Sequence, residues 1–493
     1  MTTFCELAGA WAAGLTAGDL ASTVAERARL QRTSIAAAAA AGEEAAAPFR
    51  AAAPDGPLGE VFAHAAASMA HDWDDYLFMG HPGHSAVAVA QAFAHDADRA
   101  LAAQVAGDEI AGRLGAALLI GPHNGQFWSS IHCAAGAAAA GVALGLDGGR
   151  LAHALAIALY QPPYGLWPGF MGPRTKLLTA AEPAVQGARA ALLAVGGVDG
   201  PLGVVEDRRG LLRHLAFAGR PAMLGELGRV WLTDTLGFKP YPGCAYLQPA
   251  VEGILRAGVE AEEIAGIEVA AGYLTVAMEK LGEPAGLSPV GVNFSVARSV
   301  AVAALAGRLT HAELHPAWLD ANRGAVAALA GRIRVVHDWS LTLESARGVV
   351  DAGASLRDVP SRRLLHAARR AAELGMAEAS LPARELVKPL RDSELRRELR
   401  DLIRSGSSRG LAGIDTTRLR MTFPCRLRVR LRDGRKLEIE GAEPGASAHP
   451  IAEQREVVER RAELAGLAEP AEQAPPHRRR LAPPSGHPRE VAP

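Results

Sequence analysis

The apolar positions in the first 235 residues recur at the spacing of α-helices. Alanine-rich windows with an apolar period near 3.6 residues alternate with loops rich in glycine, proline and histidine, and they cover residues 86–105, 131–144, 149–160 and 180–195. The longest apolar stretch, residues 133–146, is mostly alanine and glycine and is too short to span a bilayer, so we expect a buried, closely packed helix. This half of the chain is predicted to be all-α.

The pattern changes after Phe238. Residues 264–269 and 332–336 are short β-branched runs, whereas residues 295–305 have helical spacing. Residues 427–439 alternate apolar and charged side chains around an Asp-Gly pair, which is typical of a β-hairpin. The second part of the chain is therefore predicted to be α+β.

Two further segments are strongly polar. Residues 361–403 carry many arginines and glutamates at helical spacing and no aromatic residue, which indicates solvated surface helices. Residues 470–493 are rich in proline, arginine and alanine, and this composition predicts a disordered tail.

Composition narrows the class of protein. A chain of 493 residues is too long for one ordinary core, so we expect two domains. Its net charge of −1 argues against a nucleic-acid or membrane-surface partner. The first residues lack the basic and apolar segments of a signal peptide. The four cysteines are far apart without CxxC spacing, which predicts neither disulfides nor a zinc site. These features favour a cytoplasmic protein.

The use of lysine points to candidate functional residues. The chain has 47 arginines and only five lysines, and two of the lysines, Lys176 and Lys239, lie in polar or aromatic motifs. An ammonium group is compact and has an adjustable pKa, unlike a guanidinium. Lys176 and Lys239 are therefore predicted to belong to a functional site.

A cluster of ionisable side chains lies just before a predicted helix that begins near Ser85. Three aspartates and three histidines fall within residues 71–84. Such a density of ionisable groups is typical of a functional site. Two other interpretations remain open, namely helix caps and loop contacts, or a metal site, although no HExxH spacing is present.

Four other loops carry polar and aromatic side chains: residues 121–130, 160–176, 238–244 and 291–295. The first precedes the buried alanine-rich helix, whose amino terminus would favour an anionic ligand. The third lies at the boundary between the all-α and α+β parts, where clefts between domains bind ligands. For the first of these loops helix capping is an equally simple explanation, and for the last it is the preferred one.

In this order the motifs resemble the MmgE/PrpD family, which includes 2-methylcitrate dehydratase, cis-aconitate decarboxylase and iminodisuccinate epimerase. The resemblance covers roughly residues 55–345 and 420–465. The matching motifs are Asp72-x-Asp74-Asp75 with the histidine loop after it, Gly145-Leu146-Asp147, Thr175-Lys176, Phe238-Lys239-x-Tyr241-Pro242-x-Cys244, Asn293-Phe294-Ser295 and the Asp433-Gly434 hairpin.

The resemblance implies a mainly α fold with an α+β second domain: a large all-helical domain built from both chain ends, and a smaller α+β lid. We place the helical domain at residues 1–236, completed by about 443–469, and the lid at 237–442, with a helical insertion at about 346–419 that fits the family poorly. The resemblance also implies a homodimer and no organic cofactor, and no metal ligands are predicted.

The same resemblance assigns roles to residues. The catalytic candidates are Asp72, His81, His84, Lys176 and Lys239. His84 is the preferred acid/base of the two histidines, because Ser85 and the apolar helix follow it directly. The candidate substrate-binding residues are Tyr76, His123, Gln126, Arg174, Tyr241, Cys244 and Tyr273. Gln126 and Cys244 stand where the family has histidines, so this site departs from the family pattern at two positions.

The predicted function is that of a cofactor-independent lyase that abstracts a proton next to a carboxylate of a small polycarboxylate or related carboxylated metabolite, with dehydration as the reaction. Decarboxylation or epimerisation on the same scaffold is the alternative. A binding protein that has lost catalysis, and a metal-dependent hydrolase that uses the Asp/His cluster, are further hypotheses.

Overall fold

The computed structural model describes residues 2–121, 129–282, 286–355, 357, 359–373, 381, 383–407, 409–446 and 449–467. The predicted tail, residues 470–493, lies outside these ranges, as do His123 and Gln126. Helices dominate the described residues, and a small mixed sheet lies in the second part of the chain. The predicted fold class, mainly α with an α+β part, is confirmed.

The first part of the chain is a bundle of helices, and a helix from near the end of the described residues packs against it. Its helices are α1 (Phe4–Ala13), α2 (Ser22–Ala51), α3 (Pro57–Met69), α4 (Gly83–Phe93), α5 (Ala97–Ala117), α6 (Ser129–Ala143), α7 (Gly148–Tyr160), α8 (Trp167–Phe170), α9 (Leu178–Val195) and α10 (Leu211–Leu215). The last helix of the described chain, α21 (Ile451–Leu464), returns to pack against α2. One continuous apolar core therefore joins Phe4 to Val458.

Helix α6 lies at the centre of this core, as its composition predicts. All of its residues are buried, and it packs against α5 and α9. A Cβ atom on Gly187 of α9 would lie 2.2 Å from the carbonyl oxygen of Cys133 in α6. Only glycine permits this approach, and it lets the two helices pack backbone to backbone.

The second part of the chain contains a four-stranded sheet. Its strands are β3 (Ile264–Ala271), β4 (Ile333–His337), β5 (Cys425–Leu431) and β6 (Lys436–Glu440), in the order β4-β3-β5-β6. β3 and β4 are parallel, and the other pairs are antiparallel. The predicted hairpin is confirmed as β5–β6, and Gly434 takes the positive φ of 92° in its turn.

Helices cover this sheet and extend beyond it. They are α11 (Gln248–Ala257), α12 (Tyr273–Gly282), α13 (Pro289–Asn293), α14 (Val296–Ala306), α15 (Pro316–Ala321), α16 (Arg323–Ala330), α17 (Trp339–Val350), α18 (Ser361–Glu373), α19 (Ala383–Arg391) and α20 (Ser393–Arg404). The sheet, α11 and α14 share a second apolar core between Tyr246 and Leu431. None of the helices in the described ranges combines the length and apolar character needed to cross a membrane.

The proposed domain boundaries stay a prediction, but the two cores show where the predicted insertion packs. Ala352, Leu411 and Ile414, which lie within residues 346–419, belong to the first core. The base of this segment is therefore anchored on the helical bundle. Its helices α18–α20 extend from that base and are largely exposed, as the sequence pattern predicts.

The expectation that the first 235 residues are purely helical is wrong at one place. Asp75–Tyr76 forms a short strand, β1, that pairs antiparallel with β2 (Gly237–Phe238). A second difference lies in the helix expected over residues 86–105, which is two helices. The first of these helices ends at Phe93, and Asp96 starts the second. The Asp96 side chain accepts a hydrogen bond from the Arg99 backbone N–H at 2.7 Å and so caps the amino terminus of α5.

Candidate active site

The short β1–β2 ladder brings two distant loops together. Asp75 pairs with Phe238 and Tyr76 with Gly237. The next residues continue the contact, because the backbone N–H of Lys239 donates to the carbonyl oxygen of Asp74 at 3.3 Å. Asp74 and Lys239 are 165 residues apart in the sequence, yet they lie side by side. The ladder thus places the aspartate loop against the lysine loop.

The Asp74 carboxylate is the hub of the site. Its Oδ1 accepts a hydrogen bond from the Lys239 ammonium, and its Oδ2 lies 2.8 Å from His81 Nδ1 and 3.2 Å from His84 Nε2. Burial alone would raise the pKa of Asp74, but Lys239 and the two histidines outweigh it and hold the pKa well below its ordinary value. Asp74 is therefore an anion that orients its neighbours.

The contacts of His81 determine its tautomer. Its Nδ1 lies 2.8 Å from the carboxylate of Asp74 and 2.8 Å from the carbonyl oxygen of Asp75. Both partners are acceptors only, so Nδ1 carries the hydrogen. In the neutral ring Nε2 is then the basic atom, and His81 lines the cavity described below. His81 has the geometry of a general base held by a carboxylate.

His84, the histidine that the sequence favours, lies deeper in the protein than His81. Its side chain is fully buried, and its Nδ1 lies 2.9 Å from the hydroxyl of Ser68. That hydroxyl donates to the carbonyl of Ala65, so it accepts from His84. Both ring nitrogens of His84 thus face protein groups, and His84 is absent from the cavity wall. The structure gives it a supporting place beside Asp74.

A second buried ion pair lies beside the first. Lys176 Nζ is 2.6 Å from Asp72 Oδ1, and both side chains are fully buried. The Lys176 ammonium also lies 5.7 and 5.5 Å from the ring centres of Phe170 and Phe294. Lys239 reaches the same aspartate, since its Nζ donates to the Asp72 carbonyl oxygen at 2.9 Å. The two predicted lysines therefore meet at Asp72.

The backbone of Asp72 is unusual. Its φ angle is 51°, in the left-handed region that aspartate tolerates better than most side chains. Its Oδ2 atom is buried and has no hydrogen-bond partner among the described residues. The strained backbone and the unsatisfied oxygen occur at the same residue, a combination that is concentrated at functional sites.

A cavity of about 240 Å³ opens in front of these groups. Its polar wall consists of Tyr76, His81, Lys239, Cys244 and Tyr246. The rest of the described wall is apolar: Leu77, Phe78, Met79, Gly80, Leu119, Trp167, Phe170, Ala245, Leu274, Met278, Phe294, Met421 and Phe423. The wall draws on residues from both the first and the second part of the chain.

Cys244 stays protonated at neutral pH. Burial, followed by the charge of Asp72, raises the pKa of its thiol to about 12 despite the nearby lysines. The phenol of Tyr246 also interacts with this thiol. A thiol in this state cannot serve as the base that the family's histidine would supply.

We predict that Cys244 alkylates slowly below pH 9. Only the thiolate reacts, and a pKa near 12 leaves very little of it. Iodoacetamide labelling followed by mass spectrometry from pH 7 to 10 should show a rate that is still rising at the highest pH. The Cys244→Ser variant identifies the signal. Rapid labelling that levels off below pH 8 would show instead that the thiol is activated.

Only some of the candidate substrate-binding residues line the cavity. Tyr76 and Cys244 line the cavity. Arg174 is exposed and Tyr273 is 43% exposed, and neither belongs to the described wall. Tyr241 donates to Glu252 Oε2 at 2.5 Å and lines a separate surface groove. The structure therefore does not bring Arg174, Tyr273 or Tyr241 to the cavity.

The sequence reasoning missed Arg461 of α21. Its buried guanidinium donates to the carbonyl oxygens of Asp74, at 3.2 Å, and Lys239, at 3.1 Å, and to the hydroxyl of Ser34. It joins both loops of the candidate site to α21. In the sequence it is one arginine among several on a polar helix, so periodicity alone does not single it out.

Replacing Arg461 with methionine should lower the free energy of unfolding by about 1–3 kcal/mol, because buried carbonyl groups lose charged donors. It should also reduce activity in the folded protein, since the loops carrying Asp74 and Lys239 lose a shared anchor. Urea unfolding and turnover measure the two effects. Arg460→Met is the matched control, because Arg460 is the exposed neighbour on the same helix. Equal behaviour of the two variants would contradict the anchoring role.

Within the described ranges, no group of three His, Cys, Asp or Glu side chains is placed to share a metal ion. His81 is instead engaged with Asp74 and the carbonyl oxygen of Asp75, and His84 with Ser68.

Comparison with known proteins agrees with the architecture. Residues 56–222 match the MmgE/PrpD N-terminal domain, and residues 241–360 match the MmgE/PrpD C-terminal domain. A search of curated proteins finds no match. The two family domains follow one another in the expected order and together cover more than half of the chain, so this protein belongs to the MmgE/PrpD family.

Proposed function

We propose that this protein is a cofactor-independent lyase that removes a proton next to the carboxylate of a small metabolite and then expels water. One observation carries the proposal: Asp74 holds an imidazole and an ammonium on the same cavity wall, with Nε2 of His81 available as a base. Members of the family are generally lyases or related enzymes, which supports the reaction class.

In this proposal His81 begins the reaction. Neutral Nε2 takes the proton from the carbon next to the substrate carboxylate, and the electron pair of that C–H bond moves toward the carboxylate. The negative charge of Asp74 stabilises the imidazolium that forms. A histidine is suited to this step because its ordinary pKa lies close to neutral pH.

Lys239 would stabilise the negative charge that develops on the substrate. Burial alone would lower the pKa of its ammonium, but Asp74 and then Asp72 outweigh that effect, and its pKa is raised. It is therefore a permanent cation at neutral pH. A fixed cation in a site shielded from water stabilises an enolate-like intermediate without reorganisation. Lys176 pairs with the Asp72 carboxylate, and the carbonyl oxygen of the same aspartate accepts from Lys239, so Lys176 would help to hold Lys239 in position.

Loss of water completes the reaction. The electron pair returns to form the carbon–carbon double bond, the bond to the hydroxyl oxygen breaks, and the oxygen must gain a proton to leave as water. The His81 imidazolium holds the proton taken in the first step and is the better donor. The Cys244 thiol, with its pKa near 12, gives up a proton only at high cost.

The test is solvent deuterium incorporation, followed by NMR, into a panel of carboxylates that includes methylcitrate, citrate, aconitate and simpler 3-hydroxy acids. We expect exchange and loss of water with the wild type and a strong reduction with Lys176→Ala. Lys436→Ala on β6 is the control, because Lys436 is exposed. Circular dichroism confirms that the Lys176 variant is folded.

The products distinguish the possible reactions. An unsaturated acid supports dehydration, release of carbon dioxide would show decarboxylation, and inversion at carbon without loss of a group would show epimerisation. Failure of every compound to exchange, with binding still detectable, would overturn the proposal and favour a binding protein on this scaffold.

A further inference from the structure

The cavity wall is unusually poor in free positive charge. No arginine belongs to it among the described residues, and Lys239 supplies its only ammonium. Arg174, which the sequence offered as a second cation, is exposed and away from the wall.

The two lysines of the site are each already paired with a carboxylate. Lys239 contacts Asp74 and Lys176 contacts Asp72, and all four side chains are buried. Within these two pairs the charges cancel.

Arg461 and His84 also lie near Asp74, but both are absent from the described wall, and the Arg461 guanidinium donates to backbone carbonyl oxygens. On the described wall a protonated His81 would add one positive charge, enough for one substrate carboxylate, and a second or third carboxylate would meet no counter-charge there.

The rest of the cavity favours apolar groups. Apolar side chains from seven separate segments form most of the wall, and Phe78, Trp167, Met278 and Phe423 are among them. With a volume of about 240 Å³, the cavity lies below the roughly 300–1,000 Å³ of drug-sized pockets. It therefore suits a small molecule with one charged end and an apolar body.

We infer that the substrate carries a single carboxylate beside the reacting carbon and an apolar alkyl or aromatic body, in contrast to a di- or tricarboxylate. This inference rests on the proposed function, because it calls the ligand a substrate. The predicted order of binding affinities does not require turnover. The charge balance of Asp72, Asp74, Lys176 and Lys239, together with the apolar wall, defines the specificity.

The test compares acids that differ at one end. The wild type is given 3-hydroxy acids that carry an isopropyl or a phenyl group on carbon 3, and 3-hydroxyglutarate and citrate as polycarboxylates. Binding is measured by calorimetry and exchange by NMR. We expect the apolar acids to have kcat/KM values at least about tenfold higher than 3-hydroxyglutarate, in line with the discrimination that apolar pockets achieve.

Two variants of Met278 on the cavity wall extend the test. Met278→Lys adds a cation and should shift the preference toward 3-hydroxyglutarate by about tenfold or more. Met278→Gln has a similar shape without the charge and should not do so.

The outcomes separate the two proposals. Exchange that favours citrate or 3-hydroxyglutarate in the wild type would overturn the inference and leave the proposed function standing. Tighter binding of the apolar acids without any exchange would support the inferred preference and overturn the proposed function. If no member of the panel binds, both are overturned.

Discussion

Replacing His81 with glutamine should lower deuterium exchange and turnover by about 10²–10⁴-fold, the usual contribution of a general base. Glutamine can still donate from its amide to Asp74 and the carbonyl of Asp75, the partners of His81 Nδ1, but it cannot accept a substrate proton. Stability should therefore change little while catalysis is lost. Single-turnover exchange measured by NMR, together with urea unfolding of the same samples, provides the check.

Two other histidines serve as controls for this experiment. His95 is exposed at the turn between α4 and α5, and His95→Gln should behave as the wild type. His84→Gln should reduce stability, because His84 is fully buried between Ser68 and Asp74. A His81→Gln variant that exchanges normally, combined with an inactive but stable His84→Gln variant, would return the base to His84.

The choice between His81 and His84 shows what sequence order can and cannot decide. The sequence favours His84, because a helix follows it directly. In the structure His84 lies in the first turn of α4 and points into the bundle toward Ser68. His81 precedes the helix and is free to face the cavity. The direction in which a side chain points from the first turn of a helix depends on tertiary packing. A short sequence motif does not specify that packing.

The fold was predictable where a pattern extends over many residues. The buried α6, strands β3 and β4 and the β5–β6 hairpin all follow from periodicity and turn chemistry. The ladder of β1 and β2 has only two residues in each strand, so it is too short to produce any alternation. Its pairing depends on contacts between residues far apart in sequence. That ladder is nevertheless what joins Asp74 to Lys239.

The scarcity of lysine was a better guide to the site than aromatic content. Lys176 and Lys239 are both buried and each contacts an aspartate of one loop. The candidate residues Tyr241 and Tyr273 instead face Glu252 and solvent, respectively. A buried ammonium needs a compensating partner, which ties its position to the site, whereas a tyrosine can be satisfied almost anywhere on a surface.

Replacing Lys239 with methionine should lower the free energy of unfolding by about 3–5 kcal/mol. The substitution leaves the buried Asp74 carboxylate without its main cation, and an uncompensated buried charge is strongly destabilising. Activity should be lost as well. The double variant Asp74→Asn/Lys239→Met removes both charges and should recover much of the stability without recovering turnover. Urea unfolding of the wild type, both single variants and the double variant gives the coupling energy directly.

The same ion pair sets a pH dependence whose sign follows from its two pKa shifts. The pKa of Asp74 is lowered, so its contribution is complete above the ordinary value of 3.8 and is lost as pH falls toward the native value. The pKa of Lys239 is raised, so its contribution is complete below the ordinary value of 10.5 and is lost as pH rises through the native value. The stability difference between the wild type and Lys239→Met should therefore be largest between these limits. A difference that is absent at pH 7 would show that the Asp74–Lys239 pair does not stabilise the fold.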